Sequence, residues 1–316
     1  MSSRPSSTIP PDNKPNILRR LAKRLLFHGL ESFWGLGFRL LGWCQKPKPA
    51  QWTTDGRQCV WVLAPHPDDE AIGCAGVILL HRQAGDEVRV LYISDGGASR
   101  AHGLTRDQMV HHRHMEAIYA SQLMGVSGVE WLAAPEGAWQ VDDLYIRLQT
   151  LLEEVQPTII YAPSCVDYHP EHRKTAHLLA QALGPEANPC VRVYQVQTPL
   201  TRLLVNLVAD IAPVAEFLPP IFITYATQQG NLPAVLRARR YNMDYYGAGR
   251  PVEIFWELTA AQFCRLHQTP ADQWQLGAFR SLRHRPYSDP LAYLWGRTAR
   301  ARLRQALQEA DHANSL

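Results

Sequence analysis

Cys59-Val60-Trp61-Val62-Leu63-Ala64, running straight into Pro65-His66-Pro67-Asp68-Asp69-Glu70, is the stretch that decides the fold. Its first six residues are apolar and rich in β-branched and aromatic side chains, the make-up of a buried strand. A His-Pro turn stops the run, and Glu70–Ala84 continues as an amphipathic segment of helical length. The same unit recurs along the chain. Strands are expected at Val88–Ser94, Val129–Ala133, Thr158–Ala162 and Val191–Val196, with helices at Arg106–Gly125, Asp142–Val155 and Glu171–Leu183 between them. Such alternation predicts an α/β fold, a mostly parallel sheet with helices on both faces. Ligands in such folds bind at the carboxyl ends of the strands, where the His66 turn falls.

The chain contains two His-Pro dipeptides, and both directly follow expected strands. The second lies in Asp167-Tyr168-His169-Pro170-Glu171-His172. In each, proline suits the first helical position, where its missing N–H leaves nothing unpaired. His66 and His169 then sit near the helix caps, with Asp69 and His172 one turn further on. A catalytic zinc site takes three protein ligands from His, Asp, Glu and Cys and keeps one position open for water. His66, Asp69 and His172 supply such a set. Asp68 remains as a second carboxylate and His169 as a second imidazole. One carboxylate cannot both grip a metal and act as a free base, so Asp68 is the candidate to take the proton from the attacking water. A protonated His169 is the candidate to hold the oxyanion and assist departure of the amine. Taken alone, Asp68 and Glu70 would be ordinary helix N-terminal carboxylates; the paired turns give them a chemical meaning.

These residues resemble the N-acetylglucosaminylphosphatidylinositol de-N-acetylase family, also called PIG-L or LmbE-like proteins. The resemblance rests on Pro65-His66-Pro67-Asp68-Asp69-Glu70 and His169-Pro170-Glu171-His172, with weaker support from Ser94-Asp95-Gly96-Gly97-Ala98 and Arg113-His114-Met115-Glu116-Ala117. It covers roughly Val60 to Phe255. It implies a Rossmann-like three-layer α/β fold and a zinc site, with Fe2+ as the second candidate metal. It also implies His66, Asp69 and His172 as ligands, Asp68 as base and His169 as stabiliser of the tetrahedral intermediate. The implied reaction removes an N-acetyl group from an N-acetylglucosamine-type sugar; the basic, Trp-rich N-terminus and the basic C-terminal tail suggest a lipid-linked substrate or an envelope or exopolysaccharide pathway. Glu171 stands where the family more often has Asp. The family's substrates range from glycolipids to chitin fragments, so the reaction is implied more narrowly than the substrate. A conjugate amidase cleaving a larger amide and a non-catalytic glycan-binding protein are the alternatives.

Asp95, at the end of a central strand, is a candidate for binding sugar hydroxyls. Arg113 is a second candidate substrate contact, although Arg113 and Glu116 are spaced for an i,i+3 ion pair on a helix, and that role is the favoured one. His111, His112 and His114 point apart on a helix and read as a solvated face. Gly96-Gly97 lacks the GxGxxG spacing, so no dinucleotide cofactor is inferred. Glu253, in Arg250-Pro-Val-Glu-Ile-Phe, is an acidic position of open role.

The composition, 46% hydrophobic and 19% charged over 316 residues, is that of a globular protein. A net charge of +3 gives no case for nucleic acid. The six cysteines are too widely spaced for a structural zinc site. Residues 1–14 are expected to be a disordered leader, 15–45 a basic amphipathic helical extension, Lys46–Gly56 a linker, 57–260 the catalytic domain, and 261–316 a basic, partly helical extension. In the second of these, Leu18, Leu21 and Leu25 recur at helical spacing while Arg19, Arg20, Lys23 and Arg24 crowd the remaining face. Such a helix suits an anionic membrane surface or packs on the domain. Glu31, Arg39 and His28 interrupt the apolar stretch to Trp43 and argue against a true span. With no apolar signal core in 1–14, the expected location is the cytoplasm, with the inner membrane face as a candidate surface. No oligomeric partner is read from the sequence.

Overall fold

The computed structural model describes residues 33–46, 48–99, 103–184, 188–228, 232–268 and 297–313. Eight strands form one sheet: β1 (Ala50–Gln51), β2 (Cys59–Ala64), β3 (Glu87–Ser94), β4 (Gly128–Ala134), β5 (Ile159–Pro163), β6 (Cys190–Tyr194), β7 (Leu207–Asp210) and β8 (Val252–Thr259). Their order is β1-β7-β8-β6-β5-β2-β3-β4. The segment β6-β5-β2-β3-β4 is parallel throughout. β8 runs antiparallel to both β6 and β7, so the sheet is mostly parallel with one reversed strand. From β2 the chain builds outward to β3 and β4, then returns to lay β5 and β6 on the other side. The β2/β5 boundary is therefore the switch point at which α/β sheets open a ligand crevice.

The helices are α1 (33–43), α2 (Asp69–Ala84), α3 (Arg106–Met124), α4 (Tyr145–Val155), α5 (Pro170–Ala182), α6 (Thr201–Leu204), α7 (Leu218–Thr224), α8 (Leu232–Tyr246), α9 (Ala260–Gln268) and α10 (Arg297–Ala313). Alternate residues of β2 feed two cores. Val60, Val62 and Ala64 pack with Ala71, Ala75 and Ile78 of α2 and Ala117 and Ala120 of α3. Trp61 and Leu63 pack with Leu148 of α4, Ala176 and Leu179 of α5 and Phe263 of α9. Period-two alternation through a doubly covered sheet thus yields three layers.

Two expectations need correction here. The stretch Lys46–Gly56 is not a free linker, because Ala50 and Gln51 pair in parallel with Leu207 and Val208, and Thr54 donates to Asp86 at 2.6 Å. Pro67 does not start α2, whose first residue is Asp69 with Asp68 as cap, whereas Pro170 does open α5. Of the amphipathic extension, residues 15–32 lie outside the described residues, as does the leader. No described helix is long and apolar enough to cross a membrane. At the other end α9 packs on α5 and β8, and Leu303 and Leu307 of α10 join the core.

Candidate active site

Both His-Pro turns sit at the switch point, one after β2 and one after β5, and they converge. Asp69 Oδ2 lies 3.1 Å from His66 Nδ1 and 3.3 Å from His172 Nε2. Ligand atoms about 2.0–2.1 Å from one tetrahedral zinc are about 3.3 Å apart, so these contacts have the length of a coordination polyhedron's edges. The second nitrogen of each histidine faces a further carboxylate. His66 Nε2 is 2.8 Å from Glu171 Oε2, and His172 Nδ1 is 3.1 Å from Asp167 Oδ1. Carboxylates in that position fix ring orientation and tautomer in metal sites. His66, Asp69 and His172 are donors of the type that holds a divalent ion, with Asp69 Oδ2 common to both contacts. Other groupings overlap this set: nitrogens of His66, His169 and His172 lie within 4.8 Å of one another, as do ligand atoms of His66, Glu136 and Glu171.

The electrostatics suit a cation. Burial disfavours charge on His66, but its bonds to Asp69 and Glu171 prevail and raise it to about 9. Against the same burial, Asp69 and Asp167 raise His172 to about 10. Burial would raise Asp69 as well, yet His172 and His66 hold its carboxyl well below the usual range. Binding an ion there would require both rings to give up their protons.

Asp68 and His169 flank this trio. Asp68 has φ 137, a conformation costly for a residue with a side chain, and it is pinned on both sides. Arg113 Nη2 donates to Pro67 O and to Asp68 Oδ1 at 3.2 Å. Glu70 Oε2 accepts from Asp68 N at 3.2 Å, while Tyr225 donates to Glu70 Oε1. Burial pushes Asp68 up to about 7 against the pull of Arg113 and with the push of Asp69. His169 caps α5, and its Nδ1 accepts from Glu171 N at 3.3 Å. Burial and the neighbouring His172 and His66 lower it to about 4. The protonated His169 expected from the sequence is disfavoured by this burial and by these neighbours. With Nδ1 as acceptor its proton sits on Nε2, which is free to donate to a developing oxyanion.

The two substrate candidates are spent on the scaffold. Arg113 is buried and reaches the base turn instead of Glu116, whose carboxylate accepts from Thr227 N at 2.8 Å and Thr227 Oγ1 at 2.7 Å. The guanidinium passes beneath Gly96, where φ is +69 and a Cβ would stand 2.8 Å from the Arg113 side chain, so only glycine fits. Asp95 accepts from Gly97 N at 2.9 Å, Glu136 N at 3.1 Å and Arg106 Nη2 at 2.6 Å, tying the loops after β3 and β4 together. Glu253 lies deeper. It accepts from the N–H groups of Gly76 and Val77 and from Arg239, bracing α2 behind the site. Of the adjacent histidines on α3, His111 and His112 are exposed and His114 meets Trp131 edge to face, with ring centroids 3.7 Å apart.

Sequence reasoning missed Asp167, Glu136 and the part played by Glu171. Asp167 carries a local signal, an acid two residues ahead of a His-Pro turn, and its Oδ1 also accepts from His169 N at 2.9 Å. Glu136, whose Oε1 is 3.7 Å from His66 Nε2, follows β4 with no motif around it.

An α/β fold with two metal-ligand turns meeting at its switch point defines a class of candidate metallohydrolases. Residues 61–183 match the family described as GlcNAc-PI de-N-acetylase, PIG-L. Among curated proteins it is 26% identical over 134 residues to a probable N-acetyl-alpha-D-glucosaminyl L-malate deacetylase 2 of Bacillus anthracis, covering 40% of this chain and 59% of that one. The Bacillus subtilis counterpart is 25% identical over 215 residues, 63% of this chain and 97% of its own. Among solved structures, N,N'-diacetylchitobiose deacetylase from Pyrococcus horikoshii superposes with TM-score 0.56 at 22% identity, covering 65% of this chain and 85% of that one. GalB, the 4-carboxy-2-hydroxymuconate hydratase of Pseudomonas putida, superposes with TM-score 0.53 at 21% identity, covering 63% and 95%. The fold is therefore shared by a deacetylase and a hydratase, and the chemistry has to be argued from the site.

Proposed function

We propose that this chain is a metal-dependent de-N-acetylase acting on an N-acetylglucosamine-type amino sugar. The observation that carries the reading is Asp69 Oδ2 placed 3.1 and 3.3 Å from nitrogens of two histidines drawn from separate turns, with the carboxylate of Asp68 next in sequence. The relatives named as N-acetylglucosaminyl malate deacetylases support the substrate class.

In this reading His66, Asp69 and His172 hold a divalent ion, with zinc favoured by a donor set of two imidazoles and one carboxylate. When bound, such an ion supplies a Lewis acid that polarises an amide carbonyl and acidifies water. The chain's own groups do the rest. Asp68 accepts a proton from the attacking water, a task that suits a carboxyl raised to about 7. Arg113 and Glu70 keep it in its strained position. His169 donates its Nε2–H to the oxygen that gains charge. Asp68, now protonated, returns its proton to the departing amine, which leaves the sugar amino group and acetate.

The test is an acetate-release screen on purified protein over free and conjugated N-acetylglucosaminides, with and without a chelator. Stoichiometric acetate and free amine, lost on chelation and restored by Zn2+, is the expected result. Release of a larger carboxylic acid would make the protein a conjugate amidase. Addition of water to an enoic acid without acetate would overturn the reading in favour of hydratase chemistry.

A further inference from the structure

Helix α1 has two faces, and only one is accounted for by the fold. Gly35, Phe38 and Gly42 look inward onto α8. A Cβ on Gly42 would stand 1.8 Å from Tyr245 O, and one on Gly35 2.9 Å from Asp244 Oδ2. Phe38 is buried against Tyr241, with ring centroids 5.1 Å apart. Arg39 Nε donates to Asp244 Oδ1 at 2.7 Å. Contacts this close fix the helix's rotation about its own axis. Phe33, Leu36, Leu40 and Trp43, at i, i+3, i+7 and i+10, then fall on the opposite side within one narrow arc. Their exposures are 69%, 60%, 55% and 79%, with Leu41 beside them at 58%. No other described helix exposes so many large apolar groups.

Contiguous exposed apolar surface of this kind marks an interaction site. The surrounding charge selects the partner. Residues 15–48 contain seven Lys or Arg and one Glu, against a net charge of +3 for the entire chain. Lys46 and Lys48 stand just beyond the end of α1, both exposed. An apolar stripe edged by aromatic residues and set in a basic segment complements an anionic bilayer, whose interior takes the stripe and whose headgroups take the cations. On the far side of α8 a cavity of about 500 Å³ is lined by Leu218, Phe222, Leu232, Leu236 and Met243, with Ile223 64% exposed at its rim. Apolar surface therefore flanks α8 on both sides. α8 is also tied to the active end of the molecule: Arg239 donates to Ile72 O at 3.1 Å, in the first turn of α2 that begins with Asp69.

We propose that the outward stripe of α1 docks this protein onto an anionic lipid bilayer, lying in the interface without spanning it. The proposal is independent of the reaction assigned to the site. The experiment is vesicle flotation of the full chain with phosphatidylcholine vesicles, with and without phosphatidylglycerol, comparing the wild type with Leu36→Glu/Leu40→Glu and with Trp43→Ser. The wild type should float with the anionic vesicles and be released by high salt, which screens the headgroups. The double variant should lose at least about tenfold in partitioning, since two buried leucines are exchanged for charges, and Trp43→Ser should lose less. Both variants change exposed positions and should unfold cooperatively at the wild-type temperature. Absent wild-type flotation on anionic vesicles overturns the proposal. So does flotation unchanged in both variants. A concentration-dependent dimer by light scattering, abolished by the double variant and unaffected by lipid, would assign the stripe to a second copy of the chain.

Discussion

Helix α2 carries a histidine–carboxylate cluster at each end. At the amino end of the sheet His81 and Asp86 are both fully buried. His81 Nδ1 is 2.5 Å from Asp86 Oδ2, which also accepts from Thr54, while Asp86 Oδ1 accepts from Gln58 N. His81 Nε2 is 3.1 Å from the Tyr161 hydroxyl, which accepts from Trp52 Nε1 and Arg192 Nη1 at 3.0 Å each. Two donors into that oxygen leave its own hydrogen for His81 Nε2, so the imidazole is neutral with its proton on Nδ1. Every partner is protein and nothing is left over. At the carboxyl end three imidazoles crowd together, with ring centroids 4.7 to 5.4 Å apart. Two of them are driven towards the charged form and one away from it. Like groups are forced together at the switch point with carboxylates behind them, which makes this cluster the candidate ligand site. The same residue types, each fully satisfied, make a brace. Both ring nitrogens of His66 and His172 also face carboxylates, so what separates the two clusters is the crowding of imidazoles and the opposed shifts of their charge.

Breaking the carboxyl-end cluster should have the largest effect. Asp69→Ala or His172→Ala should reduce bound zinc, measured by plasma emission, from about one per chain to trace and acetate release to background, while His81→Asn leaves both unchanged. Metal retained in either variant would move the ligand set to one of the overlapping groupings. Next, Asp68→Asn should keep its metal and lose about 10²–10⁴-fold in kcat; a near-normal rate would remove it as the base. Asp167→Asn, which removes the charge behind His172 and keeps one of the two oxygens that accept from the backbone N–H groups of His169, Gln197 and Thr198, should weaken zinc by about 10–100-fold in chelator competition. If affinity stayed at the wild-type value, Asp167 would belong with the braces.

The smallest effect separates the clusters by pH. Burial lowers His81 to about 4 against the pull of Asp86, whereas an unfolded histidine takes its proton near pH 6.5. Between those values the unfolded chain binds more protons than the native one. Stability should therefore rise with pH through that window and be lost as the pH falls from 6.5 towards 4. Burial lowers His267 to about 3, with the same sign. In urea titrations over this range His81→Asn should remove about one proton from the pH dependence of unfolding. An unchanged dependence would mean that His81 is charged in the native protein.

Much of the fold was legible because β2 to β6 and α2 to α5 alternate as short apolar runs and longer stretches of helical length; the expected amphipathic face shows in α4 and α5, whereas α2 is buried on most of its surface. Expected and observed ends differ by at most three residues. Before Cys59 and beyond Tyr194 legibility fails for physical reasons. β8 reverses direction, β7 has four residues, and β1 has two that exist as a strand only through β7, a partner far along the chain. In the site, proline-marked turns exposed His66, Asp68, Asp69, His169 and His172, which do lie together. Glu136 comes from a loop whose position depends on Asp95 and Arg106, and that contact leaves no local trace. Arg113 was misplaced because helical spacing suggested Glu116, while tertiary packing offered the backbone of Pro67.

The candidate ligands come from turns on opposite sides of the switch point, which the His66–Glu171 contact also joins across 105 positions. An ion held there would be a rivet between the two halves of the sheet. Because only the assembled β2–β5 pair presents all three donors, the metal would bind the native state alone and raise its stability with the logarithm of its free concentration. A cell starved of the ion would then hold a chain that is slack as well as inactive, and loss of the metal would reach the proteolytic machinery as readily as the substrate.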